Sequence, residues 1–413
     1  MERRSFLQSA VLGGAGAGML SANPLATTVP GKMKITRVRV YQPPKVNPTP
    51  NQSNLVVTVE TDGGITGIGE GGISKDLVDN CAIFLIGQNP FQIEHCWQYM
   101  YRGYFYPAGR EKLHALGALD MALWDIKGKA LGVPVYQLLG GLSRNHIECY
   151  HTAGEVPGIT RDMPLKERAQ ATIAAGFRAF RTSTAELGRG VPYNTHEAVT
   201  KTYDECVQIR EGVGKYGDWA IDFHTRLDFA DAVRLAKLLE PLAPYFCEDP
   251  LRSDTLDNYP SLRQQTSVPI AAGEQWGNRW DFNKLVENQY IDYLRVTLPN
   301  VGGITEYMKI AAIAETHTVG LIPHFTGPIS TVALIHCTGT FSGPVLMEWA
   351  GSDYEASHLP QWGEFKNGKW WFNERPGLGV DFDPSKCRLI GETTEAIANR
   401  PEFYRPDGSF TEW

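Results

Sequence analysis

The chain has 413 residues, 42% of them hydrophobic and 21% charged, with a formal net charge of -7. That is enough apolar material for a large core, sufficient for a barrel of about 250 residues and a second domain. The acidic balance and a pI near 5.8 exclude the concentrated basic surface that nucleic acid or an anionic membrane requires. Seven cysteines (Cys81, Cys96, Cys149, Cys206, Cys247, Cys337 and Cys387) lie scattered without CxxC spacing, which argues against a zinc knuckle or a disulfide scaffold.

The chain opens with Met1-Glu2-Arg3-Arg4-Ser5-Phe6-Leu7, followed by a small, apolar run from Ser9 to Leu20 and then Pro24-Leu25-Ala26. This pattern resembles a twin-arginine export signal over residues 1–28, with cleavage after Ala26, and predicts a periplasmic or exported protein. The run is too short to span a bilayer comfortably, so no membrane span is expected in the mature chain.

Residues 33–142 read as one α+β module. Alternating runs at Ile35 to Tyr41, Leu55 to Glu60 and Ile65 to Glu70 predict strands, the last two joined by Asp62-Gly63-Gly64, a hairpin signal. Helices are expected between Asp76 and Leu139, the longest from Leu113 to Gly132. The segment Lys45 to Gln52, rich in Pro and Asn, reads as a loop.

From 143 to 362 the pattern becomes strand, helix, strand, helix. Candidate strands are Glu148 to Thr152, Phe177 to Thr182, Trp219 to Phe223, Tyr245 to Cys247, Pro269 to Ala272, Tyr293 to Leu298, Gly320 to Pro323 and Val345 to Met347. Eight strands alternating with helices imply a parallel (β/α)8 barrel rather than an open sheet. Residues 363–413, with Trp370, Trp371 and Phe372, are expected to fold back on the first module.

Asp222, Glu248 and Glu274 recur at intervals of 26 residues, each just past an apolar run. One such acid would read as a helix cap. Three in register, at the ends of consecutive strands, converge on the C-terminal mouth of a barrel, where an array of carboxylates suits a hard divalent cation such as Mg2+.

Two further motifs carry a family resemblance. Leu119-Asp120-Met121-Ala122-Leu123-Trp124-Asp125-Ile126-Lys127-Gly128-Lys129, followed by Gly132-Val133-Pro134, resembles the helix joining capping domain to barrel in the mandelate racemase-like group of the enolase superfamily. Val301-Gly302-Gly303-Ile304-Thr305-Glu306 resembles its turn after the sixth strand. The resemblance covers the chain from Lys34 onward. It implies an N-terminal capping domain completed by the C-terminal tail, one Mg2+ per subunit held by Asp222, Glu248 and Glu274, a homo-oligomer, and abstraction of the proton α to a carboxylate.

The acid and base residues narrow the reading. Racemases and epimerases of this group carry Lys-x-Lys on the second barrel strand, whereas this chain has Arg181-Thr182-Ser183. His224, two residues past Asp222, resembles the Asp-x-His of sugar-acid dehydratases and is expected beside the metal as an acid/base group. His324 matches the seventh-strand histidine, but Thr297 stands where a partner aspartate would be, so His324 is expected to donate a hydrogen bond to substrate. Arg181, Tyr193, His224 and Thr297 together resemble the mannonate dehydratase pattern. There Arg181 would lower the pKa of Tyr193 and make it the base. Glu348 and Thr297 are expected to contact substrate. The implied activity is dehydration of a sugar acid to a 2-keto-3-deoxy acid. The alternatives are epimerisation or β-elimination on a uronic-acid-containing saccharide, or a non-catalytic sugar-acid binding protein.

Overall fold

A computed structural model of the protein describes residues 32–45, 53–106, 108–152, 156, 158–160, 162–188, 190–324, 327–349, 356–398 and 404–411. The export-signal reading and most of the Lys45 to Gln52 loop lie outside these residues. Two sheets organise the rest, one antiparallel and one mostly parallel.

The antiparallel sheet is built by β1 (Ile35–Gln42), β2 (Val56–Thr61) and β3 (Thr66–Glu70), with β14 (Arg388–Thr393) from the chain's end completing it on the outer side of β1. Against it pack α1 (Lys75–Ala82), α2 (Ile93–Arg102) and the long α3 (Arg110–Leu131). Gly67 and Gly69 let β3 lie directly on α3, since a Cβ at either would come within about 2 Å of a carbonyl oxygen of Ala122 or Ala118. Apolar residues cover almost the whole circumference of α3, so it is buried on both sides, between the sheet and the barrel. It ends where Gly132 takes a left-handed φ of 70° and its N–H and that of Val133 close the last turn. The short α4 (Val135–Leu138) leads into the barrel.

The barrel strands are β4 (His146–His151), β5 (Ala179–Ser183), β6 (Asp218–Asp222), β7 (Phe246–Glu248), β8 (Ile270–Ala272), β9 (Tyr293–Leu294), β10 (Gly320–Leu321) and β11 (Met347–Trp349). Between them run α5 (Leu165–Ala174), α6 (Thr195–Val213), α7 (Phe229–Leu239), α8 (Tyr259–Arg263), α9 (Arg279–Glu287), α10 (Ile304–Thr316) and α11 (Pro328–Thr340). Neighbouring strands from β4 to β10 are parallel, β11 pairs with β4, and a parallel bridge from Leu321 to Val345 closes the ring. Alternation along the strands separates two layers. Tyr150, Ala179, Ala220, Phe246, Ala271, Ile322 and Leu346 fill the barrel, small against large, while residues such as Trp219, Ile221 and Cys247 face the surrounding helices.

The tail divides its docking. β12 (Glu364–Lys366) and β13 (Lys369–Trp371) form a hairpin whose second strand pairs with His146–Glu148 of β4, so Trp370 and Trp371 belong to the barrel's edge. β14, further on, is the part that joins the capping sheet.

Three buried acids fasten capping domain to barrel. Glu70 accepts the N–H groups of Ile329 and Ser330 at the start of α11, at 2.9 and 3.0 Å. Asp120 accepts from the Thr305 N–H at 3.0 Å and its hydroxyl at 2.5 Å, at the start of α10. Asp125 joins Ile68 to Leu378, at 2.9 and 2.8 Å. Each carboxyl satisfies backbone donors that would otherwise be stranded in the interface.

Candidate active site

β6 and β7 deliver their acids by simple alternation. Ala220 points into the barrel, so Asp222 does too; Phe246 points in, and so does Glu248. β8 departs from this, because Ala271 faces inward and Glu274, three residues later, has the opposite parity. Gly273, with φ at 129°, breaks the alternation and turns Glu274 toward the mouth. A carboxyl oxygen of Asp249 accepts the Gly273 N–H at 2.9 Å and fixes that turn.

Two guanidinium groups lie among these acids. Arg181, at the third position of β5, donates through one nitrogen to Asp222 and Glu248 at 2.8 Å each, and through another to Glu348 at 3.1 Å. Its Nε donates to Thr152 at 2.9 Å. Arg295 donates to Glu248 and Glu348, and to the Pro323 carbonyl at 3.0 Å, with Glu274 a further 3.7 Å from its Nε. Arg295 was not among the residues picked from the sequence. The available signal was a single cation in the apolar run Ile291 to Leu298, on the same strand face as Thr297.

The charges do not balance. Asp222, Glu248, Glu274 and Glu348 oppose only Arg181 and Arg295, and Asp249 adds nothing because burial pushes its carboxyl well above the usual range. Burial lifts Asp222 to about 6 despite Arg181, and lifts Glu274 to about 7 despite Arg295. Burial would raise Glu348 as well, but Arg295 and Arg181 overcome it and hold the carboxyl at about 2.

A divalent cation fits this donor set in charge and in hardness: oxygen ligands only, and an excess of two negative charges. Among the described residues, no three His, Cys, Asp or Glu side chains are arranged to hold a metal ion in this structure. The reason is visible in the hydrogen bonds, since both Glu248 oxygens and one of Asp222 point at guanidinium nitrogens.

Two histidines flank Glu274. His224 Nε2 stands 4.0 Å from one oxygen and His324 Nε2 3.7 Å from the other. His224 and Thr225 both have left-handed φ values, 50° and 54°, unusual for non-glycine residues and characteristic of strained functional turns. The His224 N–H is tied back to Asp222 at 2.6 Å. His324 has a defined tautomer. The Thr297 hydroxyl spends its proton on the Glu274 carbonyl at 2.9 Å, so at its 3.1 Å contact with His324 it accepts from Nδ1–H. Nε2 is then the unprotonated nitrogen. Burial, reinforced by Arg295, pushes the imidazole down to about 3 and keeps it neutral.

Several expectations need correction. Arg181 does not face Tyr193; it is committed to Asp222, Glu248 and Glu348. Tyr193 lies 47% exposed on the loop after β5, where burial raises its pKa and Arg226 opposes that rise only in part. Glu348 gives both oxygens to guanidinium groups, Arg181 and Arg295. Thr297, 1% exposed, orients Glu274 and His324. His324 donates through Nδ1 to Thr297, and its Nε2 faces Glu274.

A capped parallel barrel carries a ring of carboxylates, two arginines and two histidines at its C-terminal mouth, the end at which parallel barrels place their chemistry. The chain belongs to the mandelate racemase/muconate lactonizing enzyme group of the enolase superfamily: residues 33–140 match the N-terminal domain of that group, and residues 164–386 match the enolase C-terminal domain-like family. It is 36% identical over 397 residues to a D-galactonate dehydratase of Xanthomonas oryzae pv. oryzae, covering 92% of this chain and all of that one. The D-galactonate dehydratase of Pectobacterium atrosepticum is 35% identical over 401 residues, with the same coverage. Among solved structures, an enolase superfamily member from Salmonella Typhimurium superimposes with a TM-score of 0.79 at 26% identity, over 87% of this chain and all of that one.

Proposed function

We propose that the protein is a hydro-lyase that dehydrates a sugar acid, an aldonate, to its 2-keto-3-deoxy acid, with Mg2+ as cofactor. The observation that carries this reading is the pair of histidines on either side of Glu274, one with an unprotonated Nε2 and the other exposed. Dehydration needs one group to take the C2 proton and another to give a proton to the departing 3-hydroxyl. Relatives that are D-galactonate dehydratases support an aldonate; the Arg181, His224 and Thr297 pattern keeps mannonate beside galactonate as a substrate.

Asp222, Glu248 and Glu274 would hold the cation, which when bound supplies positive charge beside the substrate carboxylate and so acidifies the neighbouring C–H. His324 Nε2, left unprotonated by the Thr297 contact, is the nitrogen placed to take the C2 proton; burial makes it a weak base, so the transfer depends on the acidity that a bound cation gives the C–H. His224 donates a proton to the departing 3-hydroxyl. The C2–H and C3–O bonds break, water leaves, and the resulting enol ketonises. Arg181 and Arg295 hold Glu248 and Glu348 in place and keep water from solvating them. The N-terminal Arg3-Arg4 pattern supports export by the twin-arginine route, in which the chain crosses folded.

The test is 2-keto acid formation from galactonate, mannonate and gluconate by purified protein with Mg2+. Product from at least one upholds the reading; none from any, with metal bound, removes it.

A further inference from the structure

The left-handed turn at His224-Thr225 does two things. It aims His224 at Glu274, and it carries Arg226 in the other direction, over the loop that follows β5. There Arg226 borders a cavity of about 380 Å³ lined with Ala185, Leu187, Val191 and Tyr193. Its guanidinium stands 3.7 Å from Glu186, beyond hydrogen-bond reach, and Glu186 is itself 82% exposed. Val191 and Tyr193, both in its lining, are 52% and 47% exposed. An open aromatic and aliphatic wall beside a partly satisfied guanidinium is the chemistry that recognises a sugar ring, apolar on its faces and rich in acceptor oxygens at its rim.

The cavity sits at the C-terminal ends of β5 and β6, on the rim of the mouth that holds Asp222 and His224. The mouth itself carries an excess of negative charge and suits the carboxylate end of a substrate once a divalent cation is bound there. We propose that the rim cavity is a second subsite, taking a glycosyl unit attached to the distal part of the sugar acid, so that the enzyme acts on aldobionates as well as simple aldonates. This rests on the dehydratase reading and adds to it. Substitution at O4 or O6 leaves C2–H and the 3-hydroxyl intact, so the same elimination proceeds: C2–H and C3–O break, water departs, and the glycosyl bond is untouched.

The experiment compares lactobionate and melibionate with galactonate and gluconate, on the Mg2+-loaded wild type and on Arg226→Ala and Val191→Trp, the latter filling the cavity. Turnover and calorimetric binding are both read. The subsite predicts that Arg226→Ala lowers kcat/KM and affinity for the aldobionates about tenfold, the loss of a hydrogen bond from a charged donor, and that Val191→Trp lowers both at least as far by occupying the cavity, with the simple aldonates changed less than about twofold. Aldobionates that are neither bound nor turned over while an aldonate is, or an equal loss for both classes in the variants, overturns the subsite. If no sugar acid is turned over, the dehydratase reading falls. The subsite is then decided by binding alone: an aldobionate preference abolished by Arg226→Ala upholds it, and the absence of any such preference overturns it.

Discussion

Arg295, just past β9, and Glu348, on β11, form an ion pair across the barrel mouth with 1% and 3% of their side chains exposed. Arg181 reaches the same carboxylate from β5. Strands far apart around the ring are thereby tied through buried charge, and breaking such a pair by removing one partner typically costs about 3–5 kcal/mol because the other charge is left unmatched. Arg295→Met is predicted to lower thermal stability by that order, with added Mg2+ restoring part of the loss by supplying positive charge. Thermal unfolding with and without Mg2+ checks this. An unchanged midpoint would mean that Arg295 is not what compensates Glu248 and Glu348.

Cation binding should also depend on pH. Asp222 and Glu274 sit at about 6 and about 7 without a metal, and a cation must displace their protons. Mg2+ affinity is therefore predicted to rise with pH through the window from about 5.5 to 7.5, with proton release on binding. At a hundredfold excess over Kd the ion should stabilise the fold by about 2.7 kcal/mol. Calorimetry at several pH values measures both, and Glu274→Gln should abolish the effect.

Much of this site was legible in the sequence, for a physical reason that can be named. Asp222 and Glu248 follow inward-facing Ala220 and Phe246 by strict alternation, so their strand patterns placed them correctly. Glu274 shares their 26-residue spacing, but it faces the mouth only because Gly273 breaks the alternation. Its position in the mouth thus depends on a backbone turn that no hydrophobic pattern shows. Arg295 was hidden because one cation inside an apolar run carries no sign of its partners, which come from β7, β8 and β11. For Tyr193, a spacing from Arg181 fixes distance along the chain, not which face of the loop the phenol takes, and the phenol stands half exposed while Arg181 pairs with Asp222, Glu248 and Glu348. The hairpin at Trp370 and Trp371 was read as capping-domain material, since aromatic content alone does not distinguish one sheet edge from another.

The proton assignments separate cleanly by substitution. His324→Asn and His224→Ala are each predicted to reduce kcat by 10² or more, the range of a lost general acid or base. Tyr193→Phe should cost less than about tenfold on a simple aldonate, because the phenol stands outside the carboxylate cluster. Steady-state kinetics on the three variants decides it; a Tyr193→Phe loss matching that of His324→Asn would return the base role to the phenol.

Glu70 gives a pH dependence that is independent of catalysis. Burial lifts its folded pKa to about 8, against backbone donors from α11 that pull it down. A raised carboxyl contributes stability that is complete below the unfolded value near 4.5 and is lost as pH climbs through about 8, amounting to at most about 5 kcal/mol. Glu70→Gln removes that titration. Parent and variant should unfold at similar temperatures near pH 4.5, with the variant increasingly more stable toward pH 8. A constant difference at every pH would show that Glu70 is ionised throughout.

In the proposed reaction the C2 proton is removed and the 3-hydroxyl leaves. Proton NMR of the Mg2+-loaded enzyme with galactonate and mannonate in D2O tests it most directly. The expected product is a 2-keto-3-deoxy acid carrying deuterium at C3, where the enol takes its proton from solvent. Recovery of a sugar acid labelled at C2, with no loss of water, would contradict it and assign epimerisation instead.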